Sequence, residues 1–116
     1  MKKLIIILMF AGSVATAQTK EFCDLLITDM NGVIEQEYEK DGYVTQIAKL
    51  PSFYDLELVI MTVSSRVNEF TDIEYIQTWK VSKTAGYDCG LVVSGAVLFI
   101  SYVPDNQNLW FIFQKK

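Results

Sequence analysis

The chain has 116 residues, of which 10 are basic, 14 are acidic and none is histidine, so its net charge is −4. Without histidine, a catalytic Ser-His or Cys-His pair and a histidine-ligated metal site are excluded. A net negative charge without any basic stripe argues against nucleic acid as a partner. Because no glycine-rich phosphate loop or nucleophile elbow occurs either, we expect no enzymatic activity, no cofactor and no bound metal.

The first residues have the pattern of a secretory signal peptide. Lys2 and Lys3 precede the unbroken apolar run Leu4–Phe10, and the small residues Ala15-Thr16-Ala17 follow at the position where signal peptidase cleaves. The apolar run is much shorter than the roughly 20 residues that a membrane-spanning helix needs. The sequence therefore predicts that residues 1–17 are removed. It also predicts a periplasmic or secreted protein that is not inserted in a membrane after cleavage.

The segment that follows is predicted to form strands. Asn31-Gly32 and Asp41-Gly42 are dipeptides that accept positive φ angles at the two central positions of a tight hairpin turn. They separate three runs of strand length, Phe22–Met30, Val33–Lys40 and Tyr43–Leu50. This pattern predicts an antiparallel meander of three strands.

The segment from Ser52 to about residue 69 has the period of an amphipathic helix. Ser52 and Asp55 supply a hydroxyl and a carboxylate for the first turn. The apolar residues recur at steps of three and four and are Phe53, Leu56, Ile60, Val63, Val67 and Phe70. A strand is the alternative, because the apolar residues of Tyr54–Ile60 alternate. The helical period continues through the whole segment, so we predict a helix over residues 52–69.

Four further strands are predicted after this helix. They cover Ile73–Val81, Tyr87–Val93, Ala96–Val103 and Leu109–Phe113, with turn residues between them. The predicted order is β-β-β-α-β-β-β-β. We therefore expect a single α+β domain over residues 18–116, in which one amphipathic helix packs on a largely antiparallel sheet.

The two cysteines, Cys23 and Cys89, are too far apart in the sequence for a CxxC redox pair or a zinc site. An exported chain with two cysteines permits a disulfide, and both residues lie on otherwise apolar faces of predicted strands. We expect the Cys23–Cys89 disulfide, with two buried thiols that never meet as the alternative.

The last two predicted strands are apolar on both faces. Such strands are normally covered on both sides, yet only one helix is predicted. We expect the second face to be closed by the sheet itself, by a ligand or by another chain, with Trp110 as the energetic centre of the contact. The candidate binding residues are Leu98, Ile100, Tyr102, Trp110 and Ile112.

The stretch from Ser52 to Val93 resembles a group of small exported bacterial proteins of unknown function. The residues that carry the resemblance are Tyr54-Asp55-Leu56-Glu57-Leu58 with Ile60 behind them, and Ile73-Glu74-Tyr75 at the start of a strand. The resemblance implies an α+β fold and an exported protein, and it implies no mechanism.

Two functions follow from these predictions. The first is an exported, non-catalytic module that uses an apolar sheet face to bind a protein partner or a second copy of itself. The alternative is a carrier of a small apolar ligand, held between the helix and a curved sheet.

Overall fold

The computed structural model describes residues 11–81 and 86–114, in which two helices pack on one sheet. The helices are α1 (Ala11–Asp29) and α2 (Leu56–Glu69). The strands are β1 (Val33–Lys40), β2 (Tyr43–Lys49), β3 (Ile73–Val81), β4 (Tyr87–Val93), β5 (Ala96–Val103) and β6 (Asn108–Gln114). The predicted α+β class with an antiparallel sheet is confirmed, but the observed order is α-β-β-α-β-β-β-β.

Within the described residues, the strands form one sheet in the order β1-β2-β6-β5-β4-β3, and every neighbouring pair is antiparallel. Two hairpins are closed by two-residue turns whose central residues both have positive φ. These are Asp41 (56°) with Gly42 (84°), and Ser94 (51°) with Gly95 (88°). The predicted turn at Asp41-Gly42 is confirmed, and its backbone twist matches that of the flanking strands.

The predicted first strand, Phe22–Met30, is wrong, because residues 22–29 are the C-terminal part of α1 and Met30 follows in the turn. Phe22, Leu26 and Met30 are spaced by four residues and are all buried, as are Cys23 and Ile27. This spacing places the five side chains on one helical face. The helical spacing of these buried residues therefore outweighs the turn dipeptide and the run length that favoured a strand.

The Asn31-Gly32 dipeptide ends α1 rather than forming a hairpin. Asn31 has a φ of 55°. Its N–H donates to the carbonyl of Thr28 at 3.1 Å, and the N–H of Gly32 donates to the carbonyl of Ile27 at 2.8 Å. This pair of hydrogen bonds around a left-handed residue is the Schellman motif that closes many helices.

The prediction of a helix in the middle of the chain is confirmed, but its start is not. Helix α2 begins at Leu56 rather than at Ser52, and Asp55 is its N-cap. The Oδ1 atom of Asp55 accepts the N–H of Leu58 at 2.9 Å. The buried residues are Val59, Val63 and Val67, so the stripe that faces the protein is shifted from the predicted one.

Both helices lie on the same face of the sheet. Helix α1 contacts β4, β5 and β6, and α2 contacts β3 and α1. Arg66 of α2 joins the helices through two hydrogen bonds to the Asp29 carboxylate, at 2.6 and 2.8 Å. These bonds, and a third to Glu69, raise the pKa of Arg66. The helices are thereby fixed to each other as well as to the sheet.

The Cys23–Cys89 disulfide is absent. Cys23 in α1 and Cys89 in β4 are free, buried thiols that are not close to each other. Burial raises the pKa of Cys89 to about 12 and raises that of Cys23 well above its usual value. Both residues therefore act as small apolar side chains of the core.

Removal of a signal peptide stays a prediction. Residues 1–10, which include the predicted apolar run, lie outside the described residues, and α1 runs through the predicted cleavage position after Ala17. In the described part of the chain, no helix is both long enough and apolar enough to cross a membrane.

Candidate functional site

The two faces of the sheet have different surroundings. In β6, the side chains of Leu109, Phe111 and Phe113 are buried under the helices, whereas the alternating Trp110 and Ile112 are partly exposed on the other side. Neither described helix lies on this second side, which we call the open face. The alternation along β6 thus separates a packed core from an uncovered apolar surface.

The structure separates the five predicted binding residues into two groups. Leu98, Ile100 and Tyr102 are fully buried beneath the helices, while Trp110 and Ile112 belong to the open face. Residues directly opposite each other in a sheet share a face. The grouping of all five on one face is therefore wrong, because β5 presents Ser101 to Trp110 and Phe99 to Ile112.

One cross-strand row of the open face combines aromatic, small and charged side chains. Adjacent strands place the members of this row directly opposite each other. From β2 to β3 they are Ile47, Trp110, Ser101, Asp88 and Lys80. The large indole thus stands on one side of the short Ser101 side chain, and a charged pair stands on the other.

This difference in side-chain size creates a groove of about 630 Å³ on the open face. Phe99, Trp110 and Ile112 provide its apolar wall, and Gln77 and Lys80 provide the polar wall. Ligand pockets in proteins commonly measure about 300–1,000 Å³, so the groove is large enough for a group from a binding partner.

Asp88 is the most unusual polar group in the groove. Its Oδ1 atom is buried and has no hydrogen-bond partner in the described residues. Lys80 is opposite Asp88 in the β3–β4 register, yet it takes part in none of the described ion pairs. A buried oxygen without a donor is energetically unfavourable, so the Asp88 side chain lowers the stability of the chain at this position.

Exposed apolar side chains stand beside the groove. Phe99 is 46% exposed and Ile76 is 53% exposed. Ile76 can lean over β4 because residue 90 is glycine: a Cβ atom there would lie 3.3 Å from the Cγ1 atom of Ile76. Together with Trp110 and Ile112, these two side chains form a contiguous apolar patch.

Sequence reasoning missed four residues of this site, namely Ile76, Lys80, Asp88 and Phe99. The alternation of β5 already assigned Phe99 to the face opposite Leu98, which was the available signal for that residue. No local signal existed for Lys80 and Asp88, because their juxtaposition depends on the β3–β4 register.

The space that a carrier of apolar ligands would use, between the helices and the sheet, is closely packed. Tyr102, Phe111 and Phe113 are at most 1% exposed there. A second cavity, of about 410 Å³, lies at one end of the helix layer. It is lined by Phe22 and Phe70, whose rings pack edge to face with their centroids 5.9 Å apart.

Among the described residues, no group of three or more His, Cys, Asp or Glu side chains is placed to hold a metal ion. In comparisons with family models, with curated proteins and with solved structures, none matches the chain. The resemblance to small exported bacterial proteins therefore stays a prediction, and the function is inferred from the geometry of the site.

Proposed function

We propose that this protein is an exported association module that binds a protein partner through the open face of its sheet. The observation that supports this proposal is the asymmetry of the sheet: both helices cover one face, and the other carries a contiguous apolar patch. Large uncovered apolar patches are uncommon on soluble monomers and usually mark interaction surfaces.

Trp110 is the expected energetic centre of the interface. Tryptophan is enriched among residues that dominate binding energy, especially where partly protected pockets surround it. Trp110 lines the groove and has Ile47 and Ser101 opposite it on the neighbouring strands. A partner that covers the groove would complete the burial of its ring.

Export is part of the proposal and is supported by the sequence alone. The basic start, the apolar run and the small residues before Gln18 have the order of a signal peptide. We expect N-terminal sequencing of exported protein to find Gln18 as its first residue. A start elsewhere, with the apolar run retained, would contradict this part of the proposal.

Carriage of a small apolar ligand is the second candidate. The 410 Å³ cavity beside Phe22 and Phe70 supports it, because its lining is mainly apolar. The cavity is at one end of the helix layer rather than between the helices and the sheet. The open face is favoured as the functional surface because it carries both the larger groove and the exposed aromatic side chain of Phe99.

Site-specific photo-crosslinking in the native organism tests the association. A photoreactive phenylalanine analogue replaces Phe99 on the open face in one protein and Met61 on α2 in the other. Both positions are strongly exposed, at 46% and 60%. We expect a defined protein adduct from position 99 only, and we expect Trp110→Ala to reduce its yield.

The matched position on α2 controls for random collisions. Equal adduct patterns from the two positions, or no adduct from position 99, would contradict the proposed function. An adduct from position 99 that Trp110→Ala leaves unchanged would remove Trp110 from the centre of the interface.

A further inference from the structure

We propose that the partner on the open face is an acidic protein, whose contact surface carries carboxylates around an apolar side chain. This inference rests on the proposed association function and specifies the chemistry of the partner. The observation that supports it is the unequal division of charge between the two sides of the sheet.

Three lysines belong to the open face. Residues directly opposite each other across strands share a face, and Lys80 is in the cross-strand row of Trp110. In β2, Ile47 is opposite Trp110, so Lys49, two residues further on, points to the same side. Lys40 in β1 is opposite the residue of β2 that lies four positions before Ile47, and it shares this side as well.

Two carboxylates of register-paired strand residues lie on the same face. One is Asp88 beside Lys80, whose Oδ1 atom is buried. The other is Glu74 in the outermost strand β3, opposite Val92, a partly exposed residue between two buried ones in β4. Glu35 is at the bulge of β1 and has no partner in the register. The paired residues therefore give the open face an excess of positive charge.

The helix side of the sheet is acidic instead. Its two basic residues, Lys20 and Arg66, both take part in ion pairs there. Its seven acidic residues are Glu21, Asp24, Asp29, Glu37, Glu39, Glu57 and Glu69. The three lysines of the open face take part in none of the described ion pairs. Every basic residue of the described chain without an ion pair thus lies on the open face.

The lysines surround the apolar patch rather than interrupt it. Lys40 and Lys49 are at the two ends of the β1–β2 hairpin, and Lys80 is on the opposite side of the groove. Strands β2 and β3 are four strand spacings apart, which is about 19 Å at about 4.8 Å per spacing. Phe99 and Trp110 lie between them. An apolar centre inside a polar rim is the usual anatomy of a protein interface.

This arrangement selects both the partner and the side on which it binds. Carboxylates of a partner are attracted to the rim of the open face and repelled by the helix side. An apolar side chain between those carboxylates can then enter the groove of about 630 Å³. A basic partner would be directed to the helix side instead. The lysines therefore direct the encounter, and the apolar patch supplies the buried contact.

Charge reversal combined with photo-crosslinking tests the inference. Extracts of the native organism are crosslinked through the photoreactive phenylalanine analogue at position 99, in the wild type and in Lys49→Glu and Lys80→Glu. Lys20→Glu is the matched control, because it makes the same change of net charge on the helix side. We expect each open-face variant to lower the yield of the protein adduct at least about fivefold, and Lys20→Glu to change it less than about twofold.

Salt provides a second readout on the unmodified charges. Raising the ionic strength from about 0.1 to about 1 M shortens the screening length from about 10 to about 3 Å. We expect the adduct yield of the wild type to fall at least about threefold over this range. A contact made by apolar burial alone would not weaken in this way. Mass spectrometry of the adduct should locate the crosslink in a segment of the partner that is rich in Asp and Glu.

An adduct whose yield is insensitive to both open-face variants and to salt would overturn the inference, although the proposed function would stand. Capture of a lipid or of a second copy of this chain in place of an acidic protein would overturn it as well. No adduct at position 99 in the wild type would remove both the inference and the proposed function. Circular dichroism establishes whether each variant folds, and Lys49→Glu keeps the test decisive should Lys80→Glu, which faces Asp88, fail to fold.

Discussion

Alanine substitutions at Trp110 and Phe111 test whether the two faces of the sheet have different roles. These adjacent residues of β6 point to opposite faces. Phe111 is fully buried in the helix-covered core, whereas Trp110 is partly exposed on the open face. The comparison is therefore made within one strand, at the same position in the sheet.

The structure sets the expected magnitudes. Removing a fully buried phenylalanine side chain costs about 3–5 kcal/mol, because apolar contacts are lost and a cavity remains. Full burial of a large apolar side chain contributes about 1.5–3 kcal/mol, so the partly exposed ring of Trp110 should contribute less than about 2 kcal/mol to the monomer. Association should respond in the opposite order, with a larger loss for Trp110→Ala.

Urea denaturation followed by circular dichroism measures the free energy of unfolding of both variants. The purified chain without its partner keeps the comparison on the stability of the monomer. If Trp110→Ala lowers stability as much as Phe111→Ala and leaves association unchanged, then Trp110 is ordinary core and the assignment of the open face fails.

Three further predictions concern the fold. Asp55→Ala should lower the free energy of unfolding by about 1 kcal/mol, because it removes the N-cap of α2. Ser52→Ala is the control and should have no effect. Equal losses for the two variants in thermal unfolding would refute the cap. Tyr102→Phe should cost about 1 kcal/mol in chemical denaturation, because it removes the hydrogen bond of 2.7 Å that the Tyr102 hydroxyl donates to the partly buried carbonyl of Tyr54. No loss of stability would refute that bond. Cys23 and Cys89 should resist a thiol reagent until the chain unfolds. The unfolded state loses a thiol proton between about pH 9 and 12 that folded Cys89 keeps, so the free energy of unfolding should fall over that range. Cys89→Ala should reduce this slope, and an unchanged slope would refute the raised pKa.

Most of the sheet could be predicted from the sequence because each strand has a local pattern of residues that is typical of strands. Alternation and turn residues located the strands over Val33–Lys40, Ile73–Val81 and Ala96–Val103 with the bounds that the structure has. The helix α1 was missed for a physical reason. The apolar residues of Phe22–Met30 fit the period of a helix as well as that of a strand. The dipeptide Asn31-Gly32 ends a helix as readily as it closes a hairpin, because both structures need a residue with positive φ.

The site was only half predictable because it depends on register. Alternation within β6 shows that the side chains of Trp110 and Phe111 point to opposite faces of the sheet. Nothing within that strand indicates which residue of β5 lies beside Trp110. The pairing of Ser101 with Trp110 joins the indole to the polar pair of Lys80 and Asp88 through successive strands. Such contacts between distant parts of the chain have no local sequence signal.

The most direct test of the central claim is the mass of the complex that the protein forms in an extract of its native organism when an exposed apolar side chain is removed from one face or the other. Size-exclusion chromatography of these extracts compares the wild type, Phe99→Ser on the open face and Met61→Ser on α2. We predict that the wild type and Met61→Ser elute in a complex larger than the single chain, and that Phe99→Ser lowers the fraction in this complex at least about tenfold, as expected for an interface anchor. Equal fractions for all three proteins, or a complex lost only in Met61→Ser, would contradict the assignment of the open face as the association surface.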